Sequence, residues 1–482
     1  MIRVLAVLLA SPALAGPLFE DRSAGLPPHS YTGGWEHFVG GGVAVFDCDG
    51  DGLPELAAAG GESPAILLRN RGGFVFEEAP FPEITAATGL YPIDLDGDAR
   101  PDLVVLRAGQ NVALKGGPDC AFSETDLLPE DTAWSTAFTA WWEDDRPTLA
   151  IGNYVDREDP EGPFGTCHDN VLLRPGPEGY RPEPLAPGYC ALSMLAARDA
   201  RGRPTLRISN DRHYYLRGGH EQMWDIAERR FLGPEDGWQG PSLWGMGIAS
   251  RDLDGDGRAE VMLTSMGDQL LQLATPEGGY ANAPYAQGTY ATTPHTGEDG
   301  RPSTGWHSEF GDVDNDGRAD LFIAKGNVDQ MPGLAMADPN NLLMQQADGS
   351  FVEAAAEAGV ATVERSRGAA LADLDGDGRL DLVVVNRRAP LEVHRNVTPG
   401  AGHWIAIDPR QPGGNAFAIG AVVEVNGQRI ERSIGGGHAG GQLLPLHFGL
   451  GDATEAEVRI TWPDGAVTED FLPVDQSVKI DR

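Results

Sequence analysis

The apolar positions of this chain fall into short runs broken by glycine, proline and acidic residues, and no long stretch holds the spacing of an amphipathic helix. Segments such as "ILLR" (66–69), "VALK" (112–115), "YYLR" (214–217), "LLQL" (270–273) and "LEVH" (391–394) read as strands. Each stands about 18 residues after the start of an acidic turn or of its remnant. In the third and sixth units the matching segments, "VLLR" (171–174) and "LLMQ" (342–345), come about 12 residues late, so those units carry insertions. A period of ~45–60 residues made of short strands is the pattern of a β-propeller in which each unit supplies one four-stranded blade.

The acidic turn occurs five times, as "DCDGDGLPE" (47–55), "DLDGDARPD" (94–102), "DLDGDGRAE" (252–260), "DVDNDGRAD" (312–320) and "DLDGDGRLD" (373–381). The gap between the second and third copies holds two degenerate ones, "AWWEDDRPTLAIGN" (140–153) and "AARDARGRPTLRISN" (196–210), whose "RPT" aligns with "RPD" at 100–102. Seven units result, and the expected fold is an all-β, seven-bladed propeller. Gly42, Gly89, Gly247 and Gly368 stand five residues ahead of their turns, where a close backbone approach is expected; the sixth unit has His307 there. The N-terminal "LFEDRSAGL" (18–26) resembles "FVEAAAEAGV" (351–360) and predicts an outer strand joining the first and last blades.

Alternating carboxylates converge on one point only where the chain curls, and like charges so close repel unless a cation sits among them. Hard oxygen ligands in this number suit Ca²⁺, whereas Mg²⁺ needs fewer. The expected side-chain ligands are Asp47, Asp49, Asp51 and Glu55; Asp94, Asp96, Asp98 and Asp102; Asp252, Asp254, Asp256 and Glu260; Asp312, Asp314, Asp316 and Asp320; and Asp373, Asp375, Asp377 and Asp381. At position seven the main-chain carbonyls of Leu53, Arg100, Arg258, Arg318 and Arg379 complete each set. That makes up to five structural calcium sites, the second weakest because Ala99 replaces glycine, and none in the degenerate turns. An EF-hand needs glutamate at position twelve, but the residues there are Ala58, Val105, Leu263, Ile323 and Val384, inside strands.

The net charge of −36, with only three lysines, excludes a nucleic-acid partner. "MIRVLAVLLASPALAGP" reads as a signal peptide cleaved after Ala15, so residues 1–15 are expected to be removed from an exported protein, periplasmic or extracellular. No later stretch is apolar enough to span a membrane, and a monomer is expected. Of three possible pairings of four cysteines, Cys48–Cys120 with Cys167–Cys190 is the expected one, with buried free thiols as the alternative.

Catalytic motifs are scarce. "HEQMW" (220–224) lacks the second histidine of a zincin helix, and no nucleophile elbow occurs. His213, His220, His295 and His307 with Glu309 offer either a channel cluster for a metal or sugar, or separate loop histidines. Trp35, Trp141, Trp142, Trp238, Trp244 and Trp306 offer either a sugar-stacking face or packing between blades. Gly435, Gly437 and Gly440 match a dinucleotide fingerprint in form only, since no βαβ setting surrounds them, and a flexible glycine-rich loop is expected.

"FVGGGVAVFDCDGDGLPEL" and "WGMGIASRDLDGDGRAEV" resemble the FG-GAP/VCBS repeats of integrin-α-type seven-bladed propellers. Residues 413–465, with "HFGLG" and "WPDG", resemble the ASPIC/UnbV domain, and the combination is similar to the cartilage acidic protein family. The resemblance implies a calcium-binding propeller over 16–400 and a β-rich domain over 401–482. In the latter, "HWIAI", "AVVEVNG" and "EVRITW", with a hairpin turn at Asn426-Gly427, predict a small β-sandwich. It further implies a secreted, non-enzymatic interaction or adhesion module with a protein or glycan ligand. A polysaccharide-active enzyme and an accessory factor in small-molecule or metal handling stand as alternatives.

Overall fold

The computed structural model describes residues 16–159, 165–177, 179–211 and 218–482. The expected signal peptide, His213 and the segment 214–217 lie outside them. Among the described residues the α-helix content is one short turn, Ala355–Ala358; the rest is strands, turns and 3₁₀ segments.

Seven antiparallel sheets of four strands follow one another along the chain, the first extended by a fifth strand. Their first strands are Val43–Phe46, Ala87–Ile93, Ser135–Trp142, Ala191–Arg198, Gly245–Arg251, Gly305–Gly311 and Ser366–Ala372. Each packs beside the next, and Ser366–Ala372 returns to Val43–Phe46, so the seven surround a common centre. Runs such as Val43–Phe46 and Ala87–Ile93 are apolar at nearly every position because both faces are covered. The seventh sheet borrows its outer strand from the N-terminus: Phe19–Asp21 pairs antiparallel with Glu392–Asn396, Phe19 opposite Asn396, as the internal similarity predicts. In the fourth sheet Gln222–Asp225 pairs with Pro204–Asn210 as the third strand.

Residues 403–482 add two more sheets. Leu446–Gly451, His403–Arg410 and Gln476–Asp481 form one; Gln428–Glu431, Val422–Val425, Glu455–Thr461 and Val467–Pro473 form the other. Ile405, Val423, Phe448, Val458 and Trp462 are buried in one cluster between them. The expected hairpin is present, with Val425 opposite Gln428 and positive φ at Asn426 (48°) and Gly427 (86°).

The glycine-rich stretch between these strands corrects the expectation of a flexible loop. Gly441–Leu443 runs parallel to Val43–Phe46 as the fifth strand of the first sheet. Gly435, Gly437 and Gly440 bridge to Leu195, Ile248 and Leu90, on the inner strands of the fourth, fifth and second sheets. His438 and Ala439 are fully buried. The chain therefore plugs the centre of the ring, and the glycines ahead of the acidic turns gain a partner: a Cβ on Gly42 or Gly89 would run into the Ala439 carbonyl.

Both expected disulfides form. Cys48–Cys120 ties the first acidic turn to the second sheet, and Cys167–Cys190 ties the insertion of the third sheet to the start of the fourth.

Candidate functional site

All five acidic turns join the first and second strands of their sheets, and four of them are wired alike. In the first, Asp47 Oδ1 accepts the Gly50 N–H (2.7 Å) and Oδ2 the Gly52 N–H (3.0 Å), which curls the backbone around one carboxylate. Asp94, Asp252 and Asp373 do the same in three of the others, while Asp312 takes the N–H one position later, that of Asp316 (3.0 Å), together with that of Gly317 (2.7 Å). Position six takes a left-handed conformation, φ 87° at Gly52 and 64° at Ala99, so the copy with alanine still closes its turn.

Position nine has a second duty that its reading as a ligand did not include. Glu55 Oε2 accepts the Cys48 N–H (3.0 Å) and Oε1 the Asn70 N–H (3.4 Å), tying the turn to the third strand. Asp102, Glu260, Asp320 and Asp381 make the same bridge. A carboxylate oxygen has two lone pairs, so this role leaves room for a cation. All five are buried. Burial pushes Glu55, Asp102 and Glu260 up to about 7, and Asp320 and Asp381 well above the usual carboxylate range, with neighbouring aspartates adding to the rise.

The side-chain cations reach only the rim. Arg69 pairs with Asp49, Lys115 with Asp96 and Asp98, Arg258 with Asp256, Arg318 with Asp316, Arg379 with Asp377, and Arg395 with Asp375 and Asp377. These carboxylates are at positions three and five; among the described residues no Lys or Arg pairs with positions one or nine. Each set of converging acids therefore carries more negative charge than its side-chain cations balance.

The arrangement fits calcium in size. Carboxylate oxygens of Asp47, Asp49 and Glu55 lie within 4.8 Å of one another, as do those of Asp94, Asp96 and Asp102, of Asp252, Asp254 and Glu260, and of Asp312, Asp314 and Asp316. Ligands on opposite sides of a Ca²⁺ ion at ~2.3–2.6 Å would be about 5 Å apart. In the seventh sheet a buried Asp375 oxygen, Oδ1, has no hydrogen-bond partner.

The histidines do not gather. His220 lies beside Tyr189 (ring centroids 5.5 Å, tilted 47°) and His295 beside Asn341 (3.1 Å). Trp141, Trp238 and Trp306 are buried, which makes them packing residues. His307 does meet Glu309, Nε2 to Oε2 at 3.3 Å, but its other partner is the plug: the His438 N–H donates to His307 Nδ1 (3.0 Å). Gln442 Nε2 donates to Glu309 Oε1 (2.6 Å). Sequence reasoning missed His438 and Gln442, because their glycine-rich surroundings gave no hint of which surface they would meet. The available signal was paired: His307 and Glu309 replace the glycine and the Ala44, Tyr91, Ala249 or Ala370 of other repeats.

Family comparisons match both halves of this architecture. A model of the FG-GAP-like repeat matches residues 47–105 and 312–384, and the ASPIC and UnbV model matches 411–482. The chain carries FG-GAP-like repeats and an ASPIC and UnbV domain. This repeat protein is 25% identical to Cartilage acidic protein 1 of Mus musculus over 88% of its own length and 70% of the relative's, and 24% identical to that of Homo sapiens over 88% and 69%. Among solved structures it is similar to BBS1N in complex with ARL6DN (12% identity, TM-score 0.46, covering 79% of this chain and 97% of that one). It is also similar to YCF48 bound to D1 peptide (9%, TM-score 0.45, 80% and 99%). No helix among the described residues is long and apolar enough to cross a membrane.

Proposed function

We propose that this protein is an exported, calcium-stabilised interaction or adhesion module: a seven-bladed β-propeller with calcium in up to five blades, carrying a C-terminal β-sandwich. It acts without catalysis on a protein or glycan ligand in the periplasm or outside the cell. One observation carries the calcium reading: among the described residues no Lys or Arg pairs with positions one or nine of the five turns, those at position nine all buried, while nearby cations pair only with positions three and five. Asp47, Asp49, Asp51 and Glu55 and their counterparts would hold the ion, and the ion would supply the missing positive charge and lock each turn to its sheet. Seven sheets whose first strands ring one centre support the blade count, and two sheets around one apolar cluster support the sandwich. Two disulfides suit an oxidising compartment.

Equilibrium dialysis of the purified protein against radiolabelled calcium tests the reading. Several ions bound per chain, displaced by excess calcium but not by excess sodium, is the expected result. A chain that retains no calcium would overturn it.

A further inference from the structure

A cavity of about 570 Å³ lies where the inner strands of the fourth to seventh sheets meet the plug and the C-terminal sheets. It reaches the surface at Gly52, Gly376 and Asp475, which are exposed. Its volume falls within the ~300–1,000 Å³ of small-molecule sites.

Its lining is polar in a particular way. Glu309 is held by three donors from three parts of the chain: the Leu371 N–H (3.1 Å), Gln442 Nε2 (2.6 Å) and His307 Nε2 (3.3 Å). Because His307 Nδ1 accepts a main-chain N–H, its Nε2 is the nitrogen that donates to the carboxylate. Among the described residues Glu309 has no Lys or Arg partner, and its side chain keeps 23% of its surface accessible. On the neighbouring inner strand, Arg251 is 7% exposed and makes one long hydrogen bond, 3.5 Å to Gln428 Oε1. Ser308 Oγ is buried with no partner. His447 gives Nε2 to the Gly378 carbonyl (3.0 Å), which leaves Nδ1 as a buried, unpartnered acceptor. Its ring stacks on Trp404, centroids 6.1 Å apart and planes 12° from parallel.

A fixed carboxylate, a guanidinium and a flat aromatic pair share one cavity. An apolar occupant would leave these groups unpaired, and a strongly charged one would meet both signs of charge. Vicinal hydroxyls on a ring with one apolar face satisfy all of them: planar carboxylate and guanidinium groups each span two hydroxyls, and an aromatic face covers the C–H side. We infer that this cavity is a binding site for a saccharide of one or two rings, with Glu309 its anchor. The site does not depend on cations in the acidic turns.

Ligand-observed NMR and calorimetry on the full chain, in calcium buffer, test the inference with glucose, galactose, N-acetylglucosamine and maltose, and with glycine and phosphate as charged controls. Used at about 10 mM, each probe saturates a site of ~1 mM Kd. The expected result is one-to-one binding of at least one saccharide, weakened about tenfold or more by Glu309→Gln. Gln442→Ala removes a side-chain donor that fixes Glu309 while leaving the carboxylate in place, so it should melt close to the wild type while still weakening the same saccharide. No saccharide binding, binding of only glycine or phosphate, or saccharide binding indifferent to both variants would each overturn the inference. Calcium dialysis reports separately on the acidic turns, so the two readings can fail independently.

Discussion

Seven turns join first to second strands around the ring, and they divide five to two. In the third sheet the turn holds Glu143, which accepts the Thr148 hydroxyl (2.8 Å) and pairs with Arg174. In the fourth, Asp199 takes the N–H groups of Arg201 and Arg203 (2.9 Å each) and pairs with the Arg203 guanidinium (2.7 Å). Position nine in these turns is a threonine, Thr148 or Thr205, rather than a carboxylate. In the fourth turn a buried acid meets an arginine and in the third an exposed one does, so each closes on an internal ion pair. The other five turns set four carboxylates where side-chain cations reach one or two. The contrast separates two ways of closing one hairpin: an internal ion pair, complete in itself, and an acidic cradle that leaves positive charge to be supplied from solution.

Changes at position nine should show the contrast most strongly. Asp381 is fully buried and bridges the Leu374 and Asn396 N–H groups. Asp381→Asn should lower stability in calcium by about 2–4 kcal/mol, read by denaturant titration, while Thr205→Ala at the matching place in the fourth sheet should lose only about 1 kcal/mol. Equal losses would erase the distinction.

Arg203→Met tests the self-neutralised class. It strands Asp199, whose side chain is 3% exposed, and should lose about 1–3 kcal/mol by the same amount in calcium and in chelator. A loss that grows in chelator would place this turn with the other five.

Glu221 gives the fourth sheet a buried acid unrelated to any acidic turn. Burial pushes its carboxyl up to about 8 from an ordinary 4.5, while the Asn210 N–H it accepts (3.0 Å) opposes the rise. A raised carboxyl contributes fully below pH 4.5 and loses that contribution as pH climbs through about 8. Melting of the wild type should therefore fall more steeply between about pH 4.5 and 8 than that of Glu221→Gln, with or without chelator. Parallel profiles would remove this residue from the account.

The smallest effect belongs to the rim. Arg258 and Asp256 are about a third exposed, so Arg258→Met should change stability by less than about 1 kcal/mol. A larger loss would mean that the rim cations, rather than an ion in the centre, hold these turns together.

Much of this was legible because it is local or repeated. Carboxylates at alternating positions, a left-handed sixth position and a following apolar strand recur at a fixed period, and Asn426-Gly427 marks its hairpin unaided. The N-terminal strand could be found because Phe19–Asp21 does for the seventh sheet what Phe351–Glu353 does for the sixth. The plug was illegible for the opposite reason. Glycine announces that a backbone can go where side chains cannot, but the neighbours that make Gly435–Gly441 rigid are inner strands far away in sequence, and Gly42 and Gly89 needed Ala439 to explain them. The second duty of position nine also depended on the third strand, whose register no single turn encodes. The cavity combined both problems, since Glu309 comes from one strand, Gln442 from the plug and Trp404 from the C-terminal sheets.

Thermal melting of the intact protein in calcium, in EGTA, and in EGTA followed by restored calcium tests the central claim most directly. A site at a calcium concentration of 100 Kd stabilises by about 2.7 kcal/mol, so several sites predict a fall of about 10 °C or more in EGTA, recovered when calcium returns. Superimposable melts in all three conditions would contradict the account and leave the acidic turns held by their main-chain hydrogen bonds and rim cations alone.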